Sequence, residues 1–144
     1  MRLNQAGELI HGIWEALPER YAGIELDAFV VMPNHVHGII VLTNTSAVGA
    51  QQAAPFLPGN TGAASSAPTL GHVLRTFKSI SAHQVNRLLA RTGQPLWQRN
   101  YYEHIIRNST SLDRIRAYIA MNPQNWMMDQ ENPASRAAVD DLQK

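Results

Sequence analysis

Two histidines one residue apart, His35 and His37, lie in the stretch Val30-Val31-Met32-Pro33-Asn34-His35-Val36-His37-Gly38-Ile39-Ile40-Val41-Leu42. In an extended chain alternate side chains leave the same face, about 7 Å apart. Two imidazoles so placed make half of a divalent-cation site. The pair alone is a weak signal, because strand histidines at this spacing also occur in cores. A later segment offers a second half: Arg114, Tyr118 and Asn122 recur every four residues, roughly one face of a helix. A phenol, with an ordinary pKa near ~10, is a poor nucleophile at neutral pH and must be activated or oriented. A cation that polarises a phosphate beside it, and stabilises the charge developing there, meets that need. Tyr101 and Tyr102 are rival nucleophiles, but neither has an amide one helical turn away.

The elements that must position these groups follow from periodicity. Residues 4–17 carry Leu9, Ile10, Ile13, Trp14 and Leu17 at helical spacing, with Pro18 closing the helix. Residues 24–32 read as a strand, alternating at first and then apolar throughout. Pro33-Asn34 makes a tight connection, so the histidines open the return strand of an antiparallel hairpin. Residues 43–68 (TNTSAVGAQQAAPFLPGNTGAASSAP) contain no charge and no sustained periodicity, and read as a long flexible loop. Thr69 is an N-cap for a helix to about residue 91, with Leu70, Val73, Leu74, Phe77, Ile80, Val85, Leu88 and Leu89 as its buried stripe and Gly93 as its stop. Residues 94–107, QPLWQRNYYEHIIR, are rich in aromatic and β-branched side chains and predict a strand. Asn108-Ser109-Thr110-Ser111 caps a last helix through Leu112, Ile115 and Ile119, which Pro123 is expected to end. Residues 128–144 form a polar tail, expected to be frayed.

The net charge of +1 conceals an asymmetry. Residues 71–118 hold eight basic side chains against two acidic ones, while the rest holds four against nine. Such a split points to a polyanion-binding half. Arg75, Lys78, Arg99, Arg107 and Arg114 are its candidate contacts, and basic residues interleaved with Trp97, Tyr101 and Tyr102 suit unpaired bases. His104 and Tyr102, on one face of the expected strand, are candidates to line the site. The absence of cysteine excludes disulfides and thiolate metal sites and fits a cytoplasmic protein. No apolar run approaches a membrane span, and the start lacks a signal-peptide pattern.

FVVMPNHVHGIIVL, LGHVLRTFKS, LWQRNYYEHIIRN and RIRAYIAMNP together resemble the single-tyrosine transposases of the HUH endonuclease superfamily, especially the REP-associated tyrosine transposases. The resemblance implies that His35 and His37 are the paired histidine ligands, that Tyr118 is the nucleophile and that Asn122 is the polar third ligand. It implies a domain over residues 1–127 of α+β class, a small antiparallel sheet with packed helices in the ferredoxin-like manner of HUH endonucleases. The implied activity is cleavage and rejoining of single-stranded DNA at hairpin sequences, with Mg²⁺ or Mn²⁺ as cofactor, through a 5′-phosphotyrosine. Relatives of this kind include dimers and monomers, so a homodimer stays open.

One departure qualifies this. Family members begin with a strand upstream of the first helix, and this chain starts almost at the helix, so the histidine strand is expected to lack a neighbour. Two other readings follow: a relic that binds DNA hairpins without cutting them, or a small histidine-metal hydrolase unrelated to DNA. The last leaves the basic half unexplained.

Overall fold

The computed structural model describes residues 2–43, 68–129 and 132–133. It is an α+β fold in which a two-stranded antiparallel hairpin lies between helices. The expected loop at residues 43–68 and most of the polar tail lie outside the described residues.

Helix α1 spans Gln5–Glu15, and the Asn4 side chain caps it by accepting from the Gly7 amide at 2.8 Å. The chain then pauses at Ala16 and resumes as a short helix α2, Leu17–Arg20. Pro18 therefore does not close a helix, as the sequence suggested; it sits in the first turn of α2, where a missing N–H costs nothing.

Strands β1 (Ile24–Val31) and β2 (Val36–Leu42) pair antiparallel, and the Met32 amide donates to the His35 carbonyl at 2.8 Å to close the turn. Between Leu26 and Phe29 the register shifts, so β1 carries one extra residue and bulges at Asp27 and Ala28. Among the described residues β2 pairs only with β1, which leaves its other edge open.

Helix α3 runs Leu70–Leu88, capped by the Thr69 hydroxyl. It ends earlier than residue 91: Leu88 and Leu89 are exposed rather than part of the buried stripe, and Ala90 takes a positive φ of 51°. Ser81 is fully buried on this helix; its hydroxyl donates to the Phe77 carbonyl at 2.6 Å and accepts from the Trp97 indole at 2.9 Å. That bond moors residues 96–100 along α3. Residues 101–107, expected as a strand, form no ladder. Their β-forming composition favours an extended chain, but a strand also needs a backbone partner, and no described segment supplies one.

Helix α4, Ser109–Asn125, is capped by the Asn108 side chain accepting from Ser111. Pro123 lies inside it; the last turn continues past the proline before a 3₁₀ turn at Trp126–Met128. Proline cannot donate to the Ile119 carbonyl, so one hydrogen bond is lost there, and the helix runs only two residues further.

The hairpin has two distinct faces. Ile24, Val31 and, partly buried, Leu26, Phe29, Val36 and Ile40 pack with Ile10, Trp14 and Leu17 and with Val73, Phe77 and Val85 of α3. Trp14 stacks on Phe29 at 4.3 Å, and Phe77 meets Trp14 edge-on at 5.4 Å. A β-carbon at Gly38 would lie 2.6 Å from the Trp14 ring and 2.9 Å from Phe29, so glycine is what lets this strand sit down on the indole. The opposite face carries His37 and Asp27 toward α4, which packs on β1.

Candidate metal and tyrosine site

The turn and the hairpin register place the histidines. His35 is the last residue before β2 and His37 its second residue, and their rings meet edge-on with centroids 4.7 Å apart. The Asn34 side-chain oxygen lies 2.6 Å from His35 Nδ1 and accepts its proton. That tautomer leaves the lone pair on Nε2, the arrangement by which a hydrogen bond on one ring nitrogen prepares the other for a metal. Asn34 was read from sequence as a turn residue only; its place directly before the first histidine was the available signal.

His37 is half-buried. Its imidazolium is disfavoured first by burial and next by the neighbouring His35, with Asp129 opposing in part, so its pKa lies below the ordinary 6.5. It is therefore neutral at physiological pH, the form a cation requires. Its Nε2 is buried and has no hydrogen-bond partner.

Helix α4 brings the phenol. The Tyr118 ring stands 5.4 Å from the His37 ring, steeply inclined at 74°, and the residue is 56% exposed. Asn122, one turn further, is only 4% exposed, and its Nδ2 is the second buried polar atom here without a partner. A half-turn of the carboxamide exchanges nitrogen for oxygen. Buried polar atoms are ordinarily paired, so orphans on His37 and Asn122 need a reason, and a divalent cation held by two imidazoles and an amide oxygen is a fitting one.

An ion pair that sequence reasoning did not single out joins α4 to the hairpin. Arg116 donates from Nε to Asp27 Oδ1 at 2.9 Å, and from Nη1 to Asp113 at 3.3 Å. Asp27 sits in the β1 bulge, and its carboxyl is held below the ordinary range chiefly by Arg116, against burial and with help from the Ala28 amide. The bulge thus turns an acidic side chain toward α4, onto Arg116, two residues before Tyr118 in sequence. A charged residue in mid-strand was the signal for it.

The remaining candidates are spread more widely. Arg75, Arg99, Arg107 and Arg114 are exposed. Lys78 is engaged within the fold: its ammonium donates to the Gln98 carbonyl at 2.8 Å and the Asn100 carbonyl at 3.3 Å, and lies 5.7 Å from the centre of the Tyr101 ring. Tyr102, at 92% exposure, and His104 stand on the extended segment. The ring contacts of the histidine pair are instead with Tyr118 and with Trp126, whose ring is 6.1 Å from His35. Trp126 was not among the candidates the sequence offered.

No helix among the described residues is long and apolar enough to cross a membrane. No family model matches the chain, and no solved structure matches it. It is 35% identical over 136 residues to an uncharacterized protein of Haemophilus influenzae, an alignment taking in 90% of this chain and 71% of that one. At that identity and coverage, the chain belongs to the same family as the Haemophilus influenzae protein.

Proposed function

We propose that this protein is a metal-dependent single-strand DNA endonuclease and strand-transferase of the single-tyrosine HUH transposase type, acting on hairpin-forming sequences through Tyr118. The observation that carries the reading is the convergence of three unrelated features. Two imidazoles that meet edge-on lie beside an exposed phenol, and the helix bearing that phenol buries an unpartnered amide one turn on.

His35 Nε2, His37 Nε2 and the Asn122 side-chain oxygen would hold Mn²⁺ or Mg²⁺. Bound there, the cation would neutralise phosphate charge as the diester is attacked. Imidazole ligands favour Mn²⁺ over Mg²⁺. Tyr118 reaches the site from α4 and presents its oxygen to the phosphorus. The Oη–P bond forms as the P–O3′ bond breaks; the phenolic proton passes to water at the open rim, and the departing 3′ oxygen takes one from water. The phosphotyrosine conserves the ester, so a later 3′-hydroxyl reverses the exchange and joins strands without a nucleotide cofactor. Arg75, Arg99, Arg107 and Arg114 would steer the backbone by charge.

A second reading, hairpin binding without cleavage, is favoured by the edge of β2, where among the described residues the strand beside the histidine turn has a partner on one side only. Incubation with a labelled hairpin-containing single strand and Mn²⁺, followed by a denaturing gel, separates the two. The first reading gives a slow covalent band, absent with EDTA and in Tyr118→Phe and His37→Ala. Salt-sensitive binding without such a band supports the second reading, and no DNA binding at all contradicts both.

A further inference from the structure

We propose that Trp126 is the stacking platform for an unpaired nucleobase next to the phosphate that enters the histidine site, an inference resting on the single-strand DNA reading above. Tyr118, Asn122 and Trp126 follow one another at intervals of four residues along α4 and its 3₁₀ extension, so nucleophile, buried amide and indole form one strip. The indole stands 6.1 Å from His35, tilted at 51° to it, and is half-buried.

The turn that presents it is held with unusual care for a segment so near the end of the helix. The Trp126 carbonyl accepts from the Asp129 amide at 3.2 Å and from the Asn132 side chain at 2.9 Å, and the Asn132 amide donates to the Asp129 carbonyl at 3.0 Å. Asn132 is 5% exposed. A buried amide side chain is thus committed to fixing one backbone carbonyl at the rim of the site. Near Trp126 in sequence, Met128 is 89% exposed and Met121 is half in solvent. Flat and polarisable side chains beside a phosphate site suit a base face, which stacks on aromatics whatever its sequence. The exposed Arg114 on α4 and Arg99 and Arg107 in the segment before it would draw the same ligand by charge.

The test measures binding in EDTA, so that cleavage plays no part, using tryptophan fluorescence and an unstructured oligothymidylate. Quenching is expected for the wild type. Trp126→Ala should lose the quench and bind about tenfold more weakly, the order expected for one stacked base. Trp126→Phe should lose the quench but stay within about threefold of the wild type, because a ring still stacks. A scan of oligonucleotides carrying one abasic position should find a site whose penalty, seen in the wild type, vanishes in Trp126→Ala. This scan on the wild type keeps the proposal falsifiable should the alanine variant not fold. Unchanged affinity in a folded Trp126→Ala overturns the proposal, as does an abasic scan with no penalty at any position. A patch that serves self-association would show a dimer becoming a monomer in Trp126→Ala with DNA affinity unchanged, which also overturns it. If the wild type cuts DNA but ignores Trp126, this inference alone falls; if it binds no DNA, both do.

Discussion

On the side of the hairpin that meets α1 and α3, Trp14, Phe29, Phe77, Val73 and Val85 fill the space. The one buried hydroxyl in that core, on Ser81, is bonded twice over. On the side that meets α4, His37 and Asn122 are buried polar groups with an unpartnered atom each, an Arg116–Asp27 ion pair joins helix and hairpin, and Ile119 and Ile39 are buried. The Trp14 indole nitrogen is an orphan on the first side too, but it is a single donor on a ring otherwise buried for its bulk. One face spends its residues on stability; the other leaves atoms unsatisfied where a ligand can repay them. Natural proteins break local rules chiefly at functional sites, and among the described residues two of the three orphaned side-chain atoms lie on the α4 side.

Substitutions should therefore act in opposite senses on the two faces. Phe77→Ala should cost about 3–5 kcal/mol in denaturant unfolding, because a large ring is removed from a closed space. Gly38→Ala should cost about 1–3 kcal/mol by pushing β2 off the Trp14 and Phe29 rings. Because Gly38 follows His37, it should also weaken Mn²⁺ binding. A smaller change is expected from Asn122→Leu, and of the opposite sign: a gain of about 1 kcal/mol without metal, since a buried unpaired amide disappears. The same variant should lose the stabilisation that saturating Mn²⁺ confers on the wild type, about 2.7 kcal/mol at a hundredfold excess over Kd. A destabilised Asn122→Leu that still binds Mn²⁺ would erase the contrast between the faces.

The smallest effect concerns pH. His37 binds its proton less readily folded than unfolded, so the unfolded state holds more protons in the interval below 6.5 and down to the lowered folded value. Stability should be steady above 6.5, fall as pH drops through that interval, and level off beneath it. His37→Gln should remove this sag, measured by urea unfolding across pH with His35 retained. Mn²⁺ affinity should weaken only below 6.5, as protons begin to compete for the imidazole.

Much of this was legible in residue order. Thr69 and Asn108 announced their helices through side-chain oxygens that satisfy free amides, and Pro33-Asn34 marked the turn, whereas Asn4 was read inside the helix that it caps. The alternation of His35 and His37 was enough to predict one face. The β1 bulge was not legible, since a one-residue slip depends on where α4 lands and on Arg116 finding Asp27 far away in sequence. Residues 101–107 show the reverse failure: local preference gave an extended chain, but a ladder depends on what lies alongside. Pro123 and Pro18 were overread as terminators because their cost depends on position within a turn. Asn132 gave no signal, since a polar residue in a polar tail looks exposed until its partner, the Trp126 carbonyl, is in place.

The central claim is that one phenol, on α4, attacks phosphate beside the histidine pair. Digestion of the protein after reaction with a single-stranded hairpin and Mn²⁺, followed by mass spectrometry of nucleotide-linked peptides, tests it most directly. The account predicts a nucleotide mass on the peptide carrying Tyr118, absent when either histidine is replaced. A nucleotide on Tyr101 or Tyr102 instead, or cleavage with no linked peptide at all, would contradict it.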